Sequence, residues 1–387
     1  MLSNAEAELA EIQRAKHFSL WRQERAPALN SSLLSVPPFN DLPMLWIYTG
    51  DGGGMLVTPR VGEWAIDLLV AGSSPEEIIS TYDEQRVRNL GSYSELTPIL
   101  GVQLDQAVDL GRGATLEPEP QDTFAALYHR IPFQTWPIPV GTSVLRQTFS
   151  VTPAFSAELQ SEPAKQPSST EPDSDERRSV RRRLHLACLL ASPSRVEMPV
   201  SVLEPAPGFL FSGGAGSRSG SGSSDFPISP TPVSAQDVQR SFDALGKFDD
   251  ADSLERAIER LGRSRLAANE VDRALDLGMS AEIVLMHDHG TSNTEIAHKI
   301  SGRAAWLLGA NPAERAEIFS AMKKLYEARS QAVHSGKLSA KSKIDLMSSD
   351  HLVGRVLNAI LARGKFPDWA ILTLGGCEVL GSDPGEG

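Results

Sequence analysis

Residues 212–224 are almost entirely Gly and Ser around Arg218. That run divides the chain into halves with different periodicities. Such a composition has nothing to bury and reads as a flexible linker. Upstream, from Leu42 to about Val151, short apolar runs such as Met44-Leu45-Trp46-Ile47-Tyr48 and Val144-Leu145 alternate with Gly and Pro, the pattern of strands joined by turns. Downstream, from Ser234 to about Leu361, the pattern is helical almost throughout. The expected fold class is α+β, a partly β amino-terminal region followed by an all-α helical bundle.

The organisation follows from these shifts. Residues 1–152 form an amino-terminal mixed α/β region of unknown role. It has a helix over residues 5–25 stopped by Pro27, and helices over 63–70 and 122–129. Residues 153–176, rich in Pro, Ser and Glu, read as a disordered linker or insertion. Residues 177–211 read as a short β segment of the amino-terminal region, with strands at 184–190 and 196–203. Residues 212–233 are the Gly/Ser/Pro-rich linker, 234–365 the helical domain and 366–387 a tail. No internal repeat is visible.

The chain has 387 residues, is 41% hydrophobic and carries a net charge of -12. An acidic chain repels bulk nucleic acid, so an RNA contact needs a local basic patch. From Thr291 to Lys343 there are nine Lys or Arg against four Glu, a local balance of +5. This stretch fits either a phosphate backbone or a solvated helix face. The two cysteines, Cys188 and Cys377, are too few for a disulfide framework or a cysteine zinc site, and suit a reducing compartment. The amino terminus lacks a basic start and apolar core, and no apolar run is long enough to span a bilayer. A cytoplasmic protein without a membrane contact is expected.

Three helices of the second half can be placed: about 269–287, 292–308 with a Ser292-Asn293-Thr294-Glu295 capping box, and 312–334 with Gly336 as a stop. On the third, Ile318, Met322, Leu325, Ala332 and Val333 form an apolar stripe with Arg329 in its middle. Glu282 and Arg303 interrupt the stripes of the first and second. An unpaired buried charge is very costly, so Glu282 should pair with Arg329 or Arg303, or these groups line a polar cleft. Arg329 and His334 sit five positions apart near the end of the third helix, about 140° around its axis. One cation to hold a phosphate and one imidazole to move a proton make a candidate ribonuclease pair. Because the two side chains leave different faces, two copies about a twofold axis would be needed to surround a shared groove.

The phrases along these helices resemble the HEPN superfamily, specifically its ApeA-like branch. They read Asp272-Arg273-Ala274-Leu275-Asp276-Leu277 followed by Glu282, then Gly302-Arg303-Ala304-Ala305-Trp306-Leu307-Leu308-Gly309, then Leu325-Tyr326-Glu327-Ala328-Arg329-Ser330-Gln331-Ala332-Val333-His334-Ser335-Gly336. The resemblance covers about 240–363, roughly a third of the chain. It implies a bundle that dimerises through the motif helices and metal-independent, cofactor-free RNA cleavage, often in prokaryotic defence or toxin systems. By that resemblance Arg329 would neutralise the scissile phosphate and His334 would act as general base or acid. Glu282, Arg303, Ser330 and Tyr326 would support them, and Lys323, Lys324 and Lys337 would meet RNA. The alternative is a non-catalytic dimerisation or RNA-binding scaffold. In either case the amino-terminal region would receive an unknown trigger or partner. Ser330 and Ser335 depart from the commoner HEPN pattern, which has a larger polar residue and a glycine there.

Other signals have plainer readings. Without the resemblance, Arg329 could be a core ion partner of Glu282 and His334 a helix C-terminal cap. His287-Asp288-His289 looks like a metal triplet but lies between two helices, where a loop is the simpler reading. Gly50-Asp51-Gly52-Gly53-Gly54 lacks a following Lys-Ser/Thr and reads as a hairpin turn. Arg177, Arg178, Arg181, Arg182 and Arg183 form either a nucleic-acid contact or a solvated edge balancing nearby acids. No Ser-His-Asp order, Walker motif or dinucleotide fingerprint is present.

Overall fold

The computed structural model of the protein describes residues 20–44, 46–48, 55–56, 60–88, 91–118, 138–156, 174–206, 208–211, 216–221, 228–288, 295–338 and 344–375. The amino-terminal elements are α1 (20–33), β1 (Trp46–Tyr48), β2 (Met55–Leu56), α2 (Val61–Val70), α3 (Pro75–Arg88), β3 (Gly91–Ile99), β4 (Val102–Leu104), β5 (Val108–Gly111), β6 (Ala114–Glu117), β7 (Ser143–Val151) and β8 (Ala154–Ser156). Then come α4 (Ser174–Ala191), β9 (Met198–Pro205), β10 (Gly216–Ser221) and β11 (Thr231–Val233). The carboxy-terminal helices are α5 (Ala235–Leu245), α6 (Ala251–Leu266), α7 (Glu270–Leu285), α8 (Ile296–Leu308), α9 (Pro312–Ser335), α10 (Leu346–Ala362) and α11 (Trp369–Thr373). The fold is α+β: a β-rich amino-terminal region and a helical carboxy-terminal region.

A six-stranded antiparallel sheet, ordered β10-β9-β3-β7-β6-β5, forms the middle of the first half. Period-2 alternation puts Tyr93, Glu95, Thr97 and Ile99 of β3 on one face. Helix α4 covers that face. Residues 184–190 are therefore helical and not the expected strand. All of Leu184, Leu186, Ala187, Cys188, Leu189 and Leu190 are buried, in one core with Ile99, Leu116 and Leu145 of the sheet and Leu254, Leu261 and Val353 of the helices. A helix apolar on every side belongs between two layers. In a short apolar run, burial from both sides erases the periodicity that separates helix from strand.

The arginines of α4 are taken up by this packing. Arg181 Nη1 donates to the fully buried Glu95 at 2.7 Å and to Ser201 at 2.6 Å, and Arg177 lies 3.5 Å from Glu95 and over the Phe149 ring. Arg178 pairs with Asp175, Arg182 with Glu255 and Glu259, and Arg183 covers Phe242. Arg177 and Arg181 are largely buried by this packing, while Arg178 and Arg182 stay more than half exposed beside their acids.

Two expected linkers contain strands. Gly216–Ser221 pairs antiparallel with β9, and Thr231–Val233 pairs parallel with β4. Both add to a sheet by main-chain hydrogen bonds, which a Gly/Ser composition weakens but does not forbid. Within the expected insertion 153–176, Ala154–Ser156 pairs with β1, and α4 begins at Ser174. The sequence-expected strand 196–203 is β9, shifted by two residues. Helix α1 does not stop at Pro27 but continues to residue 33. Its tertiary contacts offset the lost main-chain bond. Gly62 packs against Ala26 and Asn30, its amide donates to Asn30 Oδ1 at 3.0 Å, and Leu29 and Leu33 join the aromatic core around Phe39, Trp64 and Tyr82. The expected helix over 122–129 and the Gly50–Gly54 turn lie outside the described residues.

The sheet region and the helices share a buried joint. Arg265, at the end of α6, is 7% exposed and grips Asp350 of α10 through Nε at 3.0 Å and Nη2 at 2.9 Å. Its Nη1 donates at 2.7 Å to the carbonyls of Leu189 and Ser192. One guanidinium thus satisfies carbonyls at the C-terminal end of α4, which have no intrahelical partner, and ties three helices together. Among the described residues, no helix is long and apolar enough to cross a membrane.

Candidate functional site

Local sequence fixes the helices that carry the candidate residues. Asn269 and Asn311 cap α7 and α9, accepting the amides of Asp272 and Glu314, with Pro312 opening α9. Gly336 closes α9 at φ 63°, the left-handed conformation that favours glycine. Helix α8 starts at Ile296, and the rest of the expected capping box, Ser292 to Thr294, lies outside the described residues.

Arg329 and Glu282 meet. Arg329 Nη2 lies 2.9 Å from Glu282 Oε2, with side chains 22% and 30% exposed. The contact is ionic and poorly aligned: that oxygen and Arg329 Nε are buried and find no hydrogen-bond partner among the described residues. Tyr326, one turn earlier on α9, places its ring 5.6 Å from the guanidinium carbon. Burial first, then the Glu282 charge, push the Tyr326 phenol up, while Arg329 pulls it down. Glu282 pairs with Arg329, one of the three expected arrangements.

Arg303 belongs elsewhere. Its Nη1 donates to the Leu285 carbonyl at 2.6 Å, capping α7, and the guanidinium grips Asp288 at 2.6 and 3.1 Å. His287 stacks on Phe366 at 4.0 Å, and its Nδ1 accepts the Trp369 indole N–H at 3.1 Å. Burial dominates in lowering the His287 pKa, so the ring is held neutral. Residues 287 and 288 are thus a packing and capping cluster. His289 lies outside the described residues, and among those described no group of His, Cys, Asp and Glu could hold a metal. The aromatic clasp was missed in the sequence, where 366–387 read as a tail. The local signal was Asp368, which caps α11 by accepting the amides of Ala370 and Ile371.

His334 is exposed in the last turn of α9 and makes no hydrogen bond or ion pair among the described residues. Val333, expected in the apolar stripe, is 54% exposed. The buried arc of α9 runs through Ile318, Met322, Leu325, Ala328 and Ala332, and Val333 falls at its edge. Lys323 and His334 are eleven positions apart and share a face, but Lys323 faces Glu327 at 4.0 Å. Lys324 and Lys337 are exposed, and Ser330 is half-buried. A single chain therefore brings Arg329, Glu282 and Tyr326 together, leaves His334 on another face, and keeps Arg303 out.

Comparison with protein-family models, curated proteins and solved structures finds no match to this chain. The HEPN resemblance stands on the residues quoted above.

Proposed function

We propose that the carboxy-terminal helices form a HEPN-type, metal-independent endoribonuclease. It would act as a cytoplasmic homodimer in prokaryotic antiphage defence or a toxin system, with the amino-terminal region receiving the trigger. The observation that carries this reading is Arg329 itself. It is a partly exposed guanidinium, held from behind by Glu282 and Tyr326, on the helix that ends in the exposed His334. A guanidinium so placed suits phosphate charge, and a solvent-facing imidazole can give or take a proton. With about 140° between the two side chains, two chains packed about a twofold axis would bring Arg329 and His334 of each to one groove beside the same RNA.

A second reading, a non-catalytic RNA-binding or dimerisation scaffold, is favoured by the same ion pair. Glu282 already offsets the Arg329 charge, and among the described residues no hydrogen bond or ion pair orients the His334 ring. The deciding assay is RNA cleavage by the purified full-length protein in EDTA, beside Arg329→Ala and His334→Ala variants of unchanged dimer mass. Cleavage by the wild type alone supports the nuclease. RNA binding without cleavage supports the scaffold. Equal cleavage by all three proteins refutes the assignment of this pair.

A further inference from the structure

Gly278 and Glu282 are one turn apart on α7 and share a face. Gly278 is buried, and the stem of Arg329 lies across it. A Cβ at position 278 would stand 2.5 Å from both Cβ and Cγ of Arg329. Carbon atoms pack best at about 3.5–4.0 Å, so neither contact is tolerable. Cβ is fixed to the backbone of α9 and cannot swing aside. Either the two helices part, or Arg329 leaves its place.

Nothing else explains a glycine there. Gly278 sits inside a regular helix and is not among the glycines at positive φ. A glycine in mid-helix is unfavourable relative to alanine. By contrast, a Cβ on Gly354 of α10 meets nothing within 4 Å.

We infer that Gly278 is a positioning residue for Arg329. Its bare backbone sets the spacing of α7 and α9 at which the guanidinium reaches Glu282 and lies by Tyr326. The arrangement is one unit. Gly278 seats the stem, Glu282 four residues on takes the head, and Tyr326 borders it on α9. The consequence for RNA rests on the proposed role of Arg329 as the phosphate-holding group; the geometric assignment does not.

The test is a double-mutant cycle on the full-length protein, with Glu282→Gln and Arg329→Gln read by urea unfolding. It is run in the wild-type, Gly278→Ala and Gly354→Ala backgrounds. A general loss of stability leaves the coupling between the two charges intact, whereas loss of positioning removes it. The expected result is coupling in the wild-type and Gly354→Ala backgrounds and its loss in Gly278→Ala. Equal coupling in all three overturns the inference. If Gly278→Ala does not fold, Arg329→Gly is added, which removes both clashing carbons. Recovery of folded protein then supports the inference, and a double variant that stays unfolded overturns it. RNA cleavage is measured on the same proteins, with at least a ten-fold drop expected in Gly278→Ala and no change in Gly354→Ala. Lost coupling together with a wild type that cleaves no RNA would leave Gly278 in its role and remove the nuclease reading alone.

Discussion

Replacing Arg265 by Met keeps most of the unbranched stem and removes the clamp between α4, α6 and α10. Asp350, 5% exposed, would keep a carboxylate with no cation. The carbonyls of Leu189 and Ser192 would lose donors that now stand at 2.7 Å. Removing one partner of a buried ion pair costs about 3–5 kcal/mol, because the remaining charge is left without compensation. The methionine regains part of the packing, which places the expected loss near ~4 kcal/mol. With an unfolding entropy of roughly 2.1 cal/mol/K per residue, a chain of this length carries about 0.8 kcal/mol/K. The melting temperature should therefore fall by about 5 °C if the chain unfolds as one unit. Calorimetry and urea unfolding, each followed by far-UV signal and tryptophan fluorescence, provide the assay. Asp350→Asn, which keeps the shape, should lose less than Arg265→Met, and the double variant Arg265→Met with Asp350→Leu should recover part of the loss. A loss under about 1 kcal/mol, the scale of an exposed pair, would refute the claim that this guanidinium joins the layers.

Two further outcomes are expected. The neutral form of His287 is favoured on folding because burial lowers its pKa. Its contribution is whole above about pH 6.5, the ordinary histidine value, and falls as the pH drops from there toward the lowered folded value. The wild type should lose stability over that window more steeply than His287→Gln, and parallel pH profiles would refute the neutral clasp. The Cys188 thiol is fully buried and pushed up to about 12. In a Cys377→Ser background it should resist a thiol reagent at pH 8 until the protein is unfolded, and labelling of the folded protein at the rate of a free thiol would contradict its burial.

What the sequence determined by itself is the set of features decided within a few residues. The division into a β-rich and a helical half follows from the two periodicities. The start of α7 and both ends of α9 follow from Asn269, Asn311, Pro312 and Gly336, since caps act over three or four positions. The Glu282–Arg329 pair was legible as one of three arrangements, because a charge in an apolar stripe requires a partner or a polar cleft. The tertiary structure decided whatever depends on a second surface. Leu184–Leu190 is a helix because a sheet and a bundle bury it from both sides. Gly216–Ser221 is a strand because β9 offers an edge, and Pro27 stays inside α1 because α2 packs on that turn. Arg303 turns to Asp288 because the end of α7 brings a carbonyl and a carboxylate together. Val333 is exposed because the arc of α9 that its neighbours bury passes through Ala328 and Ala332 instead. Gly278 is one small residue of α7, and only the approach of α9 shows that its missing side chain is the space Arg329 occupies. Local hydrogen bonding is written in neighbouring residues; burial is a property of pairs of elements, and no window of the sequence contains both members.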